Sequence, residues 1–132
     1  MKIVIDTNIF ISSFFWGGKP RKIFERVING YDELFITEYI INEIFEVMKR
    51  DKFAVNSNHI EDYIHIIKKY SKEIVSENTI KSISRDVDDD NILLCGIAGD
   101  VDYIITGDED LLVLKEYENI KIIKPKDYLE IV

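Results

Sequence analysis

The chain has few of the residues that cross-link a fold or break its regular structure. It contains one cysteine, two prolines and six glycines. The single cysteine, Cys95, excludes an intramolecular disulfide and a cysteine-based metal site, so we expect a buried thiol and a reducing, cytoplasmic setting. No stretch has the composition of a linker, and 132 residues suit one compact unit. We therefore predict a single domain spanning residues 1–132.

Long apolar runs are also missing. The stretch from Lys2 to Trp16 is interrupted by Asp6 and Asn8, and no small-residue cleavage site follows it. It therefore lacks the pattern of a secretory signal. No run approaches the roughly 18 apolar residues that a membrane-spanning helix needs, so no membrane partner is expected.

Positive charge is scarce relative to negative charge. Lys and Arg number 17 against 25 Asp and Glu, which gives a formal net charge of −8. This balance disfavours a nucleic-acid partner, because phosphate backbones attract Lys and Arg. Net charge says little about local fields, however, and a carboxylate cluster that binds cations would itself make the metal-free chain acidic. The charge therefore does not exclude a nucleic-acid substrate.

Short apolar runs alternate with amphipathic stretches along the chain. The expected strands are residues 2–5, 34–36, 74–75, 103–106 and 120–123. The expected helices lie near 23–28, after a cap at Thr37, at 57–70, 89–98 and 109–117, and from Pro125 onward. This alternation predicts an α/β fold with a mostly parallel central sheet covered by helices on both faces.

Acidic residues directly follow two of the predicted strands. Asp6 ends the first strand, and Asp108 comes just after the strand at 103–106. Ligands of open α/β sheets bind at the carboxyl ends of the strands, so neighbouring strands would bring both acids to one crevice. An acid that ends a fully apolar strand has few structural uses, whereas Asp108 is also a candidate helix N-cap.

Two further acids lie on predicted helices. Glu43 stands at the edge of an apolar stripe, where burial of an isolated charge would be costly. Asp90 precedes Leu93 and Leu94 by three and four residues, so it is expected to point along the core-facing side of its helix. The structural alternatives are a surface position for Glu43 and favourable helix-start electrostatics for Asp90.

Four converging carboxylates would repel one another. No Lys or Arg lies within two residues of Asp6, Asp90 or Asp108 to relieve that repulsion. A hard divalent cation would relieve it, and an all-oxygen set of ligands suits Mg²⁺ or Mn²⁺. Asn8 and Thr106 add neutral polar groups beside the acids.

A basic cluster lies at the start of the predicted helix at 23–28. It consists of Lys19, Arg21, Lys22 and Arg26, close in sequence to Asp6. These residues are the best candidates for contacts with phosphate groups of a substrate. The structural alternative is that they solvate a helix face.

The motifs that contain these acids resemble those of the PIN-domain ribonucleases. They are Val4-Ile5-Asp6-Thr7-Asn8, then Glu43 in a helix, then Asp88-Asp89-Asp90-Asn91-Ile92-Leu93 and Ile105-Thr106-Gly107-Asp108-Glu109-Asp110-Leu111-Leu112. The resemblance covers essentially the whole chain and is closest to the VapC-like toxins of type II toxin–antitoxin systems. It implies a three-layer α/β/α sandwich and Mg²⁺- or Mn²⁺-dependent endonucleolytic cleavage of RNA.

The resemblance also assigns roles to individual residues. It implies that Asp6, Glu43, Asp90 and Asp108 bind the metal, with Asp89 as the alternative to Asp90. Asn8 and Thr106 fall where supporting polar residues occur. The family further implies a homodimer and a cognate antitoxin that blocks the site.

Other classes of protein share parts of this pattern. A phosphohydrolase with an aspartyl nucleophile would resemble Asp-x-Asp after the first strand, and Asn8 takes the place of the second acid. A phospho-accepting signalling domain would need an acid pair near residue 6. A non-catalytic RNA- or protein-binding module has no reason to keep mutually repelling carboxylates. Measuring whether the protein cleaves RNA or hydrolyses a phosphomonoester distinguishes these alternatives.

Overall fold

Strands and helices alternate along the parts of the chain that the computed structural model describes, which are residues 1–50, 54–75 and 87–132. In chain order the elements are β1 (Lys2–Ile5), α1 (Thr7–Phe15), α2 (Gly18–Ile28), β2 (Glu33–Ile36), α3 (Glu38–Met48), α4 (Ser57–Tyr70), β3 (Ser71–Glu73), α5 (Val87–Gly99), β4 (Tyr103–Ile105), α6 (Glu109–Leu112), β5 (Glu116–Tyr117), β6 (Ile120–Ile123) and α7 (Pro125–Ile131).

The strands form one sheet in the order β3-β2-β1-β4-β6-β5. Among the strands in the described ranges, the pairs from β3 to β6 are parallel, and the edge strand β5 runs antiparallel to its neighbour. Helices cover both faces, so the predicted three-layer α/β/α sandwich with a mostly parallel sheet is confirmed. The strands β1 and β4 lie side by side at the centre, which brings their carboxyl ends together.

The core is built on strands that are buried on both faces. In β1, Ile3 and Val4 are fully buried and Ile5 is nearly so, as expected for a continuous β-branched run. Cys95 on α5 is also fully buried, and burial raises the pKa of its thiol to about 12. None of the helices in the described ranges is long and apolar enough to cross a bilayer.

Helix α5 approaches the sheet unusually closely because two of its residues lack a side chain. A Cβ atom at Gly96 would lie 3.0 Å from Cδ1 of Ile104 and 3.2 Å from Cδ1 of Ile120. A Cβ atom at Gly99 would lie 3.0 Å from the ring of Phe35. Contacts this short are tighter than nine in ten real Cβ contacts, so with a larger residue the neighbouring side chains would have to shift by a few tenths of an ångström. The two glycines therefore allow α5 to pack closely against the strands.

The helix α1 was not predicted from the sequence, which indicated only a loop between Asp6 and the next helix. It consists almost wholly of apolar and small residues, and it buries Ile9, Phe10 and Ile11. A helix that is apolar on most sides lacks the periodic pattern that identifies an amphipathic helix. The basic cluster at 19–26 is consequently separated from Asp6 by a nine-residue helix about 13 Å long.

Two predictions near the edges of the sheet were wrong in their boundaries. The weak strand expected at 74–75 lies instead at Ser71–Glu73, a polar edge strand without an apolar signal. The helix expected at 109–117 ends at Leu112, and residues 116–117 form β5. Glu118 and Asn119 both have positive φ, which suits the two-residue turn that joins β5 to β6.

Candidate active site

The carboxyl ends of β1 and β4 place two polar residues side by side. The register pairs Ile5 with Ile105, and the backbone N–H of Asp6 donates to the carbonyl of Ile105 at 3.0 Å. The next residues along the two strands, Asp6 and Thr106, are therefore neighbours. Both side chains are buried, and Thr106 is fully so.

The hydroxyl of Thr106 links two acids of the site. Its Oγ1 donates to Oδ2 of Asp6 at 2.6 Å and accepts from the backbone N–H of Asp108 at 3.0 Å. Because the proton goes to Asp6, the hydroxyl holds that carboxylate in one orientation. The same contact fixes the start of the loop that carries Asp108. The predicted supporting role of Thr106 is therefore consistent with a direct contact to Asp6.

Three carboxylates converge at this edge of the sheet. Each of Asp6, Asp89 and Asp108 offers an oxygen atom, and these oxygens lie within 4.8 Å of one another. Asp6 and Asp89 are buried and Asp108 is half-buried. The side chain of Asp6 makes no capping bond to α1, although the residue occupies the N-cap position. We refer to these three residues as the acidic cluster.

The third member of the acidic cluster is Asp89, the alternative to the expected Asp90. Asp90 is half-buried and lies outside the group. Successive residues of a helix point about 100° apart, so the neighbours Asp89 and Asp90 cannot both face the ends of β1 and β4. Ile92 and Leu93, three and four residues after Asp89, are buried, whereas Leu94 is half-buried. Asp89 therefore lies on the core-facing side of α5.

Glu43 also lies outside the acidic cluster. It is half-buried on α3, and that helix packs against α5. Asn8 is exposed in the first turn of α1, two residues beyond Asp6. The structure therefore brings together three acids, two of them among the four expected ligands, with Glu43 on an adjoining helix.

Asp108 serves the local fold as well as the acidic cluster. Its Oδ1 accepts from the backbone N–H of Asp110 at 2.9 Å and caps the short helix α6. Asp108 is therefore the N-cap of α6, as the sequence allowed, and it is also a member of the acidic cluster. The cap holds the carboxylate in place, because one oxygen is bonded to the backbone of its own loop.

The four basic residues suggested for RNA contacts divide into two kinds. Lys19 and Lys22 are exposed on α2. The guanidinium of Arg21 donates to the carbonyl of Ser13 at 2.9 and 3.2 Å, which caps the end of α1. Arg26 pairs with the buried Asp32 just before β2, at the edge opposite the acidic cluster. Arg26 therefore lies near the amino ends of the strands, whereas the acidic cluster lies at their carboxyl ends.

The donor set of the acidic cluster fits a hard divalent cation. All three groups are carboxylates, and the hydroxyl of Thr106 adds a neutral oxygen in contact with Asp6. Oxygens on opposite sides of a Mg²⁺ ion lie about 4 Å apart, so a small contraction of the cluster is enough for shared coordination. Buried carboxylates at this separation repel one another, and a bound cation removes that repulsion. The residues present therefore suit Mg²⁺ or Mn²⁺.

Two further residues, Thr37 and Lys124, lie at the carboxyl ends of the strands beside the acidic cluster. The sequence indicated them only as residues at helix boundaries. Because Ile3 pairs with Leu34, the register continues to place Thr37 opposite Asp6. On the other side, Ile105 pairs with Ile123, which places Lys124 next to Thr106. The available signal was that each residue directly follows a predicted strand.

The chain matches a known protein family in sequence and a solved structure in fold. The sequence model of a family described as the PIN domain matches residues 2–110. The chain is also similar in structure to a chain of VapBC2 from Rickettsia felis, solved bound to a DNA fragment from its promoter. The two are 14% identical, the match covers 94% of this chain and 98% of that one, and the TM-score is 0.64. No curated protein matches the sequence significantly.

Proposed function

The chain belongs to the PIN-domain family, and on that basis we propose that it is a divalent-metal-dependent endoribonuclease. The family resemblance drawn from the sequence is thereby confirmed. The observation that carries the proposed activity is the acidic cluster, with its oxygens within 4.8 Å at the carboxyl ends of β1 and β4.

In this proposal the acidic cluster holds Mg²⁺ or Mn²⁺. Thr106 keeps Asp6 oriented, and the cap to Asp110 keeps Asp108 in place. Glu43 and Asp90, half-buried on the helices beside the cluster, would act on water or phosphate oxygens at its margin. When bound, the ion supplies an activated water and stabilises the charge that develops on the phosphodiester in the transition state.

Substrate binding is proposed to use cations near this edge of the sheet. Lys19 and Lys22 remain candidates for phosphate contacts, because both are exposed on α2. Lys124 is an additional candidate, since the sheet register places it beside Thr106. Arg21 contributes mainly by capping α1, which positions the start of α2.

We further propose that the protein is the toxin of a toxin–antitoxin pair. The support is the fold that it shares with a chain of VapBC2, which was solved on DNA from its own promoter. A cognate antitoxin would block the acidic cluster, and the active form would be a homodimer in the cytoplasm. A co-purified small protein that inhibits cleavage would support the first of these points, and molar-mass measurement tests the second.

The direct test is cleavage of a panel of structured and single-stranded RNAs. The purified protein, freed of any co-purified inhibitor, is incubated with Mg²⁺, Mn²⁺ or EDTA. We expect internal cleavage with either ion and none with EDTA. Hydrolysis of a chromogenic phosphomonoester without RNA cleavage would favour a phosphohydrolase instead, and binding of RNA without cleavage would favour a non-catalytic module.

A pair of isosteric variants identifies the third acid. Asp89→Asn is expected to lower the cleavage rate about 100-fold or more, because it removes a carboxylate from the acidic cluster. Asp90→Asn is expected to lower it less than tenfold. The initial rates are compared at saturating Mg²⁺ with folding checked by circular dichroism. Equal losses, or a larger loss at Asp90, would contradict the assignment.

A further inference from the structure

A small cavity lies at the carboxyl ends of β2 and β3, beside the acidic cluster. Its volume is about 220 Å³. The residues that matter for its chemistry are Thr37, Glu38, Tyr39, Glu73, Ile74, Asn91 and Leu94. They come from the start of α3, from the end of β3 and the residue after it, and from the part of α5 that follows Asp89.

The sheet register puts this cavity next to the proposed cleavage site. Thr37 continues β2 opposite Asp6, and Ile74 continues β3 opposite Thr37. Neighbouring strands are about 4.8 Å apart, so the cavity begins one strand away from the acidic cluster. Asn91 follows Asp89 by two residues on the same helix. An RNA strand with its scissile phosphate at the acidic cluster can therefore reach the cavity with an adjacent nucleotide.

The walls of the cavity combine an aromatic ring with hydrogen-bonding groups. The side chain of Tyr39 is 40% exposed and provides a ring face, and Leu94 and Ile74 add apolar surface. The carboxylate of Glu38 accepts hydrogen bonds and repels phosphate, so the cavity disfavours the RNA backbone itself. An aromatic face together with polar groups is the usual arrangement for an unpaired base.

The size of the cavity suits one small planar group. One turn of an α-helix fills roughly 400 Å³, given a diameter of about 10 Å and a pitch of about 5.4 Å. The cavity is about half of that volume. A single planar ring system fits within this volume, whereas a whole helical turn does not.

We propose that this cavity binds the base of an unpaired nucleotide adjacent to the scissile phosphate. The base stacks on Tyr39 and is one that carries an exocyclic amino group, which donates to Glu38. Bound in this way, the base fixes the register of the RNA and gives the nuclease a sequence preference at one position. The inference rests on the proposed ribonuclease function for its role in cleavage.

The test uses the full chain and RNA of known sequence. Single-stranded oligonucleotides randomised around one position are cleaved, and the cut sites are read by sequencing the product ends. Binding of a fluorescein-labelled pentanucleotide is measured in parallel against the same strand with one abasic position. The variants are Tyr39→Ala, Tyr39→Phe and Glu38→Gln. The control is Tyr31→Ala, an exposed tyrosine at the opposite edge of the sheet.

We expect Tyr39→Ala to raise KM about tenfold with little change in kcat, because one stacked base contributes to binding of the strand. The preference at one nucleotide position should flatten, and Tyr39→Phe should restore it. Glu38→Gln should reduce the preference for amino-bearing bases. Tyr31→Ala should leave KM and the preference unchanged. Melting curves confirm that every variant is folded.

The two readouts separate this inference from the proposed function. If the wild type cleaves RNA and Tyr39→Ala keeps its KM and its nucleotide preference, the cavity is not a base site although the nuclease stands. A second outcome is that the wild type fails to cleave RNA but binds the complete strand more tightly than the abasic strand, with this difference lost in Tyr39→Ala. In that case the base site stands and the nuclease proposal fails. Absence of both cleavage and base-dependent binding overturns the inference.

Discussion

Replacing Asp6 with asparagine is expected to abolish RNA cleavage while the protein stays folded. Asparagine has the same shape and its oxygen can still accept from the hydroxyl of Thr106. What it removes is a negative charge from the centre of the acidic cluster. Partners that only support metal ligands typically contribute 10–100-fold, so loss of this carboxylate should lower the cleavage rate by more than about 100-fold.

The same substitution should abolish the stabilisation of the fold by divalent cations. Without metal, Asp6→Asn should raise the free energy of unfolding by about 1 kcal/mol, because it relieves repulsion between carboxylates less than 5 Å apart. With Mg²⁺ at about 100 times its dissociation constant, the wild type should gain about 2.7 kcal/mol and the variant almost nothing. Urea unfolding with and without Mg²⁺ measures both quantities.

A matched control is available on the surface of α4. Asp62 is exposed there and lies outside the acidic cluster, so Asp62→Asn should change neither cleavage nor the response to Mg²⁺. Wild-type stability that is unaffected by Mg²⁺ and Mn²⁺, together with full cleavage by Asp6→Asn, would refute the metal site.

Removal of the side chain of Arg26 is expected to cause a large loss of stability. Its Nε donates to Oδ2 of Asp32 at 2.9 Å, and the side chain of Asp32 is fully buried. The hydrogen bond to Asp32 raises the pKa of Arg26, and Tyr128 lies beside the pair. Burial raises the pKa of the Tyr128 hydroxyl, with Asp32 as a further cause. Within the described ranges, Arg26→Ala leaves the buried carboxylate of Asp32 paired with the N-terminal amine, 3.5 Å away.

We expect Arg26→Ala to lower the free energy of unfolding by about 3 kcal/mol, as for other buried pairs that lose one partner. For a chain of this size the melting temperature should fall by about 10 °C. Lys49→Ala is the control, because its pair with Glu46 is exposed and is worth less than about 0.5 kcal/mol. Thermal melts followed by circular dichroism give both values.

Catalysis should be unaffected by the loss of Arg26 at temperatures where the variant is folded. The pair with Asp32 precedes β2, whereas the acidic cluster follows the ends of β1 and β4. A fall in cleavage rate per folded molecule, with little change in stability, would instead support the contact with RNA that the sequence suggested for Arg26.

The layout of the fold and of two acids follows from local sequence patterns. A run of three β-branched residues predicts a strand buried on both faces, and an acid directly after it predicts the ligand edge of a parallel sheet. Asp6 and Asp108 both satisfy this rule, and the pairing of β1 with β4 brought them together. These inferences succeed because the strand period and the position of a strand end depend on neighbouring residues only.

Helix α1 and strand β3 show where local patterns carry too little information. The first is apolar on most sides and the second is polar on an edge, so neither shows the alternation between buried and exposed residues that identifies an element. The pairing of Arg26 with Asp32 could not be predicted from the sequence either, because the chain turns at Gly30 between the two residues.

The choice between Asp89 and Asp90 depended on tertiary structure alone. Both are acids in the first turn of the same helix, and the apolar residues that follow fit either choice, because Leu93 lies four residues after Asp89 and three after Asp90. In the structure Ile92 and Leu93 are buried and Leu94 is half-buried, which puts Asp89 on the core-facing side of the helix. Sequence by itself determined that carboxylates would gather at the ends of the central strands. Packing decided which carboxylate of the run joins them, because close contact between helix and sheet permits only one orientation.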